Sequence, residues 1–377
     1  MAYVAVRGGE EAIQQAEKLY RALNQPFDAG FVSLLERHLP YLIDRVMGEG
    51  SLYAPELAAL ALAQSGGDLY EAILLLRAYR STLPRVAYAE TITDETIFTV
   101  RRISAAFKDI PGGQVLGPTL DYSHRILDLG LLSASGRESA PGSDSGAPDA
   151  SSTAGEPASP AYPLVSDWHR LNGLLPPHPQ AAPEDPASLA DITREPIAFP
   201  APRAHRLQSL ARADTGGVLS LGYASMRGYG LTHPTVNEVR LGYAQVRLAH
   251  PLLGEAFTLG RVRISQTEVV DSKADELALG FAATLGWNEV KTISAAMLDL
   301  EMDRPNPHPA HSEEFVLYHT ESVEASGFCI HYKLPHYVTF NSSLDSIRRA
   351  RHRTPIAIAA QEDAARQFES ITEEAPA

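Results

Sequence analysis

Residues 308–336 concentrate the side chains best suited to chemistry. His331 and His336 lie five residues apart, a spacing that places two side chains on one face of neither a regular helix nor a regular strand. Pro335 fixes its own φ and disfavours the helical region at Leu334, so a bend there can turn both imidazoles toward one metal ion. The alternative is a hairpin end with two hydrogen-bonded histidines. Five of the thirteen histidines of the chain lie in this stretch: His308, His311, His319, His331 and His336.

An arginine-rich segment precedes this stretch. Between Arg203 and Arg263 the chain carries eight arginines, no lysine and three acids, so the segment is positive although the whole chain has a net charge of -14. Guanidinium groups bind phosphate and carboxylate through two parallel hydrogen bonds, which favours anion binding. The alternative is that these arginines pair with acids elsewhere in the chain or in a partner subunit.

An internal echo falls within the arginine-rich segment. LGYASMR at 221–227 is repeated as LGYAQVR at 241–247, and His-Pro follows the copies at 233 and 250. The repeated β-prone sequence predicts two related strands or hairpins. If they pair, Arg227, Arg247 and His233 line one groove.

A glycine- and proline-rich loop, PGGQVLGP at 111–118, stands before Asp121 and His124. Glycines let a backbone approach a phosphate closely, so Asp121 and His124 are secondary site candidates. The alternative is an ordinary turn. The loop lacks the lysine and serine spacing of a Walker A motif, so it gives no ATPase signal.

The periodicity predicts an α+β fold, with a helical N-terminal layer followed by a mixed domain of antiparallel strands and helices. We expect helices over most of the first 130 residues, at 10–23, 27–47 with a break at Pro40, 55–64, and 69–80 capped by Asp68. Later we expect helices near 272–285 and 288–302 and a strand at 315–319. The predicted regions are 1–132 (mainly helical), 133–165 (a flexible Ser/Ala/Gly/Pro insertion), 166–355 (the α+β domain) and 356–377 (a mobile tail).

Composition excludes several classes of protein. The acidic balance argues against general nucleic-acid binding, and no apolar run approaches the eighteen or so residues of a membrane span. No basic region followed by an apolar run marks a secretory signal. Cys329 is the only cysteine, which excludes an internal disulfide and favours a reducing cytoplasm.

Long blocks of the sequence resemble one known family. YHTESVEASGF followed by HYKLPHYVTF, the start YVAVRGGEEAI, and the blocks at 110–125, 221–251 and 262–291 are similar to the I subunit (PhnI) of the carbon–phosphorus lyase core complex. The resemblance covers nearly the whole chain, except roughly residues 133–165 and the last twenty or so, and long ordered blocks are far more specific than a short motif.

The resemblance implies an activity. Members belong to a complex that displaces the purine of ATP or GTP by methylphosphonate, giving alpha-D-ribose 1-methylphosphonate 5-triphosphate. The subunit alone is associated with purine nucleosidase activity, in which water replaces the phosphonate. The implied partners are the G and H subunits, the radical S-adenosylmethionine J subunit and ATP-binding-cassette subunits. The implied ions are magnesium with ATP, and a zinc shared with the J subunit and held here by His331 and His336.

Displacement at an anomeric carbon needs a carboxylate to stabilise an oxocarbenium-like state and an acid to protonate the leaving purine. The candidate catalytic residues are Glu321, Glu324 and His319, and Asp271 is a further carboxylate. The candidate substrate-binding residues are Arg227, Arg247, His233 and His124.

Two other functions stay open. The chain could be mainly a structural scaffold that shares a metal site with its partner. A free-standing metalloenzyme is a weaker alternative, because no HExxH or comparable ligand set occurs.

Overall fold

The computed structural model describes residues 8–23, 26–130, 162–177, 189–230, 233–250, 252–273, 275–333 and 337–352. The chain forms two compact units, one of residues 27–325 and a smaller one of residues 1–26 with 326–377. The described part contains twelve helices and a four-stranded antiparallel sheet, which confirms the predicted α+β class.

A helical layer opens the larger unit. It comprises α2 (Ala29–His38), α3 (Pro40–Gly50), α4 (Pro55–Gln64) and α5 (Leu69–Ser81). Pro40 and Pro55 stand at the first turns of their helices, where the missing N–H costs nothing. Asp68 accepts hydrogen bonds from the backbone of Tyr70 (3.0 Å) and Glu71 (3.3 Å), as a helix cap should. The layer packs around its own apolar core, formed mainly by Ile43, Val46, Met47, Ala58, Leu62, Ile73 and Leu76.

The sheet has the order β1-β2-β3-β4 and is antiparallel throughout. Its strands are β1 (Ile97–Ile103), β2 (Thr235–Ala249), β3 (Ala256–Lys273) and β4 (Glu276–Leu285). β1 pairs from Ile97 opposite Ala244 to Ile103 opposite Val239, and β4 pairs from Ile264 opposite Leu285 to Lys273 opposite Glu276. β2 and β3 therefore extend as a two-stranded ribbon beyond the strands on either side.

Helix α9 (Glu289–Met302) packs across the sheet and completes the second core. The helix can come this close because β4 has a glycine beneath it. A Cβ at Gly280 would lie 2.2 Å from the carbonyl oxygen of Ala296, so no side chain fits there. The core of this layer comprises Leu210, Val218, Val269, Ala282, Ala295, Leu298, Leu300 and Val316, among others.

Shorter helices surround the sheet and α9. They are α6 (Val165–Leu171), α7 (Arg203–Arg212), α8 (Thr215–Ala224) and α10 (Glu313–His319). A π-helical turn, Ser225–Tyr229, continues α8. Helix α11 (Ser322–Tyr332) begins in the larger unit and ends in the smaller one, which also contains α1 (Gly9–Leu23) and α12 (Tyr337–His352).

The N-terminal helices agree with the predictions, with two differences. Helix α3 continues through Gly48 to Gly50, three residues beyond the predicted end at 47. The first 130 residues are mainly helical as predicted, but Ile97–Ile103, for which no strand was predicted, forms the edge strand β1. This strand depends on pairing with β2, far along the chain, so local periodicity gives little sign of it.

Three later predictions are wrong. The segment near 272–285 was predicted as a helix but is largely strand β4. Its backbone pairs with β3, and its apolar side chains pack against α9. The segment at 315–319 lies in helix α10, whose first turn carries two acids that favour a helix start. The first copy of the echo lies in α8 and the π-helical turn, whereas the second lies in β2, so the copies do not pair as strands. Asp214 caps α8 and accounts for the helix there.

The predicted region boundaries at 132, 165 and 355 stay predictions. Most of the insertion and all of the tail lie outside the described residues.

Candidate functional site

Glu321 is the predicted catalytic residue with the densest surroundings. Its Oε1 accepts a hydrogen bond from Nη1 of Arg77, and Nε of Arg212 lies 3.5 Å from the same oxygen. Its Oε2 accepts from the backbone N–H groups of Val323 (2.8 Å) and Glu324 (3.1 Å) at the start of α11. Burial alone would raise the pKa of Glu321, but the charge of Arg77, these hydrogen bonds and Arg212 outweigh it and hold the pKa below its usual range.

Arg77 connects Glu321 to the rest of the larger unit. Its Nε donates to the carbonyl oxygen of Glu49 (2.8 Å), and its Nη2 donates to the hydroxyl of Ser322 (3.2 Å) and the carbonyl oxygen of Arg212 (3.3 Å). One side chain thus ties α5 to the ends of α3 and α7 and to the start of α11.

A buried network of charged groups lies behind Arg77. Oε1 of Glu49, a fully buried residue, accepts from Nε of Arg45 (2.8 Å) and from the backbone and hydroxyl of Thr215 (3.0 and 2.8 Å). Oε2 of Glu49 has no hydrogen-bond partner among the described residues. Asp214 receives Nη2 of Arg45 (3.0 Å) and caps α8 through the N–H of Gly217 (2.6 Å).

Lys291 completes this network from α9. Its Nζ donates to the carbonyl oxygen of Ala211 (2.6 Å), and burial lowers its pKa to about 8, against the opposing charge of Glu49. Neither Glu49 nor Lys291 was predicted from the sequence as a site residue. Signals were present: Glu49 stands between two glycines, and Lys291 occupies the apolar stripe of α9 with Ala295 and Leu298, where a lysine is out of place.

A second buried cluster fixes the sheet to the chain around it. Arg102 donates to Glu238 (2.7 Å) and to the carbonyl oxygens of Pro111, Gly113 and Pro163 (2.7–2.8 Å). Arg240 donates to the same Glu238 oxygen through Nε (2.9 Å) and Nη2 (2.6 Å). The glycine-rich loop thus turns carbonyl oxygens inward to an arginine, which supports the interpretation of this loop as a turn.

Glu268 on β3 belongs to the same cluster. It accepts from the hydroxyl of Ser166 (2.5 Å) and from Nδ2 of Asn237 (3.0 Å). Burial raises its pKa to about 7; the hydrogen bond from Ser166 opposes this shift, and the nearby charge of Glu238 adds to it. All four carboxylate oxygens of Glu238 and Glu268 accept hydrogen bonds from the protein, so this cluster has the character of a structural anchor.

The other catalytic candidates are exposed. Glu324 lies in the first turn of α11, and His319 ends α10, with its ring stacked on Phe315 at 4.0 Å and its Nδ1 2.7 Å from the carbonyl oxygen of Phe315. Asp271 is paired with Arg304 and is half-buried. Glu321 thus belongs to a network with Arg77 and Arg212. His319 and Glu324, which are close to Glu321 in the sequence, lie at the surface.

The substrate-binding candidates lie on separate elements. Arg227 is exposed on the π-helical turn, with its guanidinium 5.9 Å from the ring centre of Tyr223. Arg247 is exposed on the ribbon, with Nε 3.6 Å from Oε2 of Glu90. His233 and His124 are exposed in coil. Because the echo copies do not pair, the predicted shared groove loses its basis, and binding of the triphosphate by these residues stays a prediction.

Most of the arginine-rich segment forms ion pairs with acids of the chain. This is the alternative that the charge pattern left open, and it accounts for six of the eight arginines. The pairs are Arg203–Asp299, Arg206–Asp303, Arg212–Glu321, Arg240–Glu238, Arg247–Glu90 and Arg263–Asp44. Burial raises the pKa of Asp44 to about 6, with Arg263 and the N–H of Trp287 opposing the shift.

The candidate metal site is described only in part. His331 is exposed in the last turn of α11, whereas His336 and the Leu334-Pro335 bend lie outside the described residues. No group of three or more histidine, cysteine or acidic side chains that could hold a metal ion occurs in the described ranges. An exposed imidazole is a suitable zinc ligand, and zinc binding by His331 and His336 stays a prediction.

Among the described helices, none has both the length and the apolar character that crossing a membrane requires.

Comparison with known proteins assigns the chain to a family. The family model described as "Bacterial phosphonate metabolism protein (PhnI)" matches residues 2–354. A relative from Stutzerimonas stutzeri, "Putative C-P lyase subunit protein HtxH", is 42% identical over 94% of this chain and 97% of its own length.

Two further relatives carry the name "Alpha-D-ribose 1-methylphosphonate 5-triphosphate synthase subunit PhnI". The one from Rhizobium meliloti (strain 1021) is 40% identical over 96% of this chain and 98% of its own length. The one from Escherichia coli (strain K12) is 39% identical over 92% of this chain and 98% of its own length. Similarity of this extent confirms the resemblance, and the chain belongs to the PhnI family of bacterial phosphonate metabolism proteins.

Proposed function

We propose that this chain is a subunit of a carbon–phosphorus lyase complex and helps to make alpha-D-ribose 1-methylphosphonate 5-triphosphate. The observation that carries the proposal is 40% identity, over 96% of the chain, to a relative named as a subunit of that synthase. The partners in this proposal are the G, H and J subunits and the ATP-binding-cassette subunits, in the cytoplasm.

In the proposed reaction, an oxygen of methylphosphonate attacks C1′ of ATP or GTP as the bond from C1′ to the purine nitrogen breaks. The purine leaves with a proton, and water in place of the phosphonate gives nucleosidase activity. His319 and Glu324 are exposed and near in sequence, so they are available as proton donor and carboxylate. Glu321 is engaged by two arginines and by the α11 backbone, which suits a residue that positions α11.

His331 and His336 would hold zinc, with further ligands from the partner J subunit, and magnesium would accompany the nucleotide. Zinc bound there supplies a Lewis acid at a subunit boundary. Of the two proposed ligands, His331 lies on an exposed helix end, where a ligand from a partner subunit could complete the site.

Purine release tests the activity. The purified chain is incubated with ATP or GTP, and free adenine or guanine is measured by chromatography. Release by the chain alone, and formation of the ribosyl methylphosphonate triphosphate by the assembled complex, are the expected results. If the chain alone releases no purine, and the other subunits form the product when the chain is absent, then the chain acts as a scaffold.

Zinc analysis tests the metal site separately. His331→Ala in the assembled complex should lower zinc content while the melting temperature of the chain stays at that of the parent. His352, exposed on α12, offers a matched control, and His352→Ala should retain zinc. Parental zinc content in the His331→Ala complex would show that this histidine is no ligand.

A further inference from the structure

Four arginines gather where α5 meets the end of α7, the coil at 191–193 and the start of α11. Arg77 and Arg212 are mostly buried, with 11% and 20% of their side chains exposed, and Arg80 is half-buried. Arg85 is more exposed and pairs with Asp191 at 2.5 Å. All four belong to the larger unit. We call this set, Arg77, Arg80, Arg85 and Arg212, the arginine cluster.

The carboxylates around the arginine cluster do not balance its charge. Glu321 serves both Arg77 and Arg212, and Asp191 serves Arg85. Four positive and two negative groups leave a net charge of +2. The network behind the cluster does not change this balance, because Arg45 and Lys291 there face Glu49 and Asp214, two charges of each sign.

Arg80 is the member with donors to spare. It makes no ion pair with any carboxylate in the described part of the chain, and its Nη1 donates to the carbonyl oxygen of Gly50 at 3.1 Å. A guanidinium carries five N–H donors in a planar fork, so one carbonyl leaves most of its capacity unused. Partial burial disfavours a cation that pairs directly with no carboxylate, and an anion that joins it offsets this cost.

The pKa shifts of Arg80 and Arg212 agree with the excess of positive charge in the arginine cluster. Burial lowers the pKa of Arg80, and the charge of Arg77 lowers it further, with Asp191 and Glu321 opposing. Burial also lowers the pKa of Arg212 to about 10, with the charge of Arg77 as the next cause. Arginines that repel one another in this way would gain from an anion placed between them.

We propose that Arg80, Arg77 and Arg212 form a binding site for a phosphate-class oxyanion, and that its ligand is the triphosphate of the nucleotide substrate. The fork of Arg80 has donors left for paired hydrogen bonds to a tetrahedral oxyanion, and Arg77 and Arg212 add positive charge beside it. A triphosphate supplies the negative charge that the cluster lacks. The assignment of the ligand rests on the proposed function. It places the triphosphate at residues other than Arg227 and Arg247.

Binding measurements with two probes test the proposal. Inorganic tripolyphosphate and ATP are titrated into the full-length chain by calorimetry at low ionic strength. Arg80→Ala is the informative variant, because removing a side chain without an ion pair leaves no carboxylate unpaired. Arg37, exposed on α2 with one hydrogen bond to its own helix, gives the control Arg37→Ala. Losing a charge-assisted contact should weaken binding of both probes about ten- to hundredfold in Arg80→Ala and leave Arg37→Ala unchanged. Arg80→Lys should fall between parent and Arg80→Ala, and it replaces that variant if Arg80→Ala melts early.

Each outcome decides one of the two claims. Parental affinity of the Arg80 variants for both probes would overturn the site, as would a parent that binds neither. Parental affinity for ATP together with loss of tripolyphosphate would show an oxyanion site that does not hold the nucleotide. If the parent binds tripolyphosphate through Arg80 but binds no ATP, the site stands and the proposed function fails.

Discussion

Arg77 and Glu321 form an ion pair although 244 residues separate them in the sequence. The pair joins the N-terminal helical layer to the first turn of α11, the helix that carries His331. The carboxylate also caps that turn through two backbone N–H groups. A single acid therefore links an early helix of the chain to the start of the helix that bears the metal candidate.

Glu321→Gln should destabilise the larger unit by about 2–3 kcal/mol, because it leaves Arg77 and Arg212 without a counter-charge and weakens the cap. Urea unfolding at pH 7 measures this. Since the folded-state pKa of Glu321 is lowered, its stabilisation is present above the usual glutamate pKa and is lost as pH falls through the lowered value. The variant should lack this acid-side loss. Glu324→Gln, at an exposed neighbour, should match the parent, and equal stability of both variants would contradict the prediction.

Glu268 should contribute a pH dependence of opposite sign. Its pKa is raised from 4.5 to about 7, so its stabilisation is present below pH 4.5 and is lost as pH rises through 7. Between pH 5 and pH 8 the parent should lose roughly 2–3 kcal/mol of unfolding free energy relative to Glu268→Gln. The measurement is urea unfolding at both pH values. Glu255→Gln, at an exposed site, should follow the parent; identical pH profiles for Glu268→Gln and the parent would rule this out.

Gly280→Ala should destabilise the sheet–helix core by about 1–3 kcal/mol, because the new methyl group meets the backbone of α9 and overpacks the core. Gly260→Ala is a matched control on β3, where a Cβ has no atom within 4 Å. Thermal unfolding of both variants gives the comparison. A parental melting temperature for Gly280→Ala would show that α9 can move away from β4.

Deletion of residues 136–160 should change the melting temperature by no more than about 2–3 °C. The deleted sequence offers almost nothing to bury, and described residues on both sides are bound independently of it. Asp121 is bound to Arg101 at 2.7 Å, and the carbonyl oxygens of Tyr162 and Pro163 are bound by Arg240 and Arg102. Differential scanning calorimetry and co-purification with the partner subunits test this. A drop of ten degrees, or loss of assembly, would assign the insertion a structural role.

Local signals predicted the elements that local chemistry determines. Pro40, Pro55 and the Asp68 cap marked the starts of α3, α4 and α5, and α9 was placed within a residue or two. Strand β4 and helix α10 could not be assigned this way, because short apolar segments suit either conformation and tertiary pairing decides between them. The echo misled for the same reason: of two similar heptapeptides, LGYASMR lies in a helix and π-helical turn after the Asp214 cap, and LGYAQVR lies in a strand beside β3.

Residues of the candidate site could be predicted only where they lie together in one stretch of the sequence. Glu321 was found because it stands in a chemically rich stretch, but its partners Arg77 and Arg212 come from distant helices. The unbalanced charge at Arg80 is a property of four separated segments. No spacing in the sequence expresses it.

The position of β1 also bears on how the chain is made. Its pairing partner in β2 follows only after a loop of roughly 140 residues, so closing that loop is slow and must await synthesis of β2. Until then Arg102 lacks Glu238, its buried counter-ion, and the strand keeps an unpaired backbone. We expect the helical layer to fold first on the ribosome, with β1 held open and in need of chaperone protection until the last strands emerge.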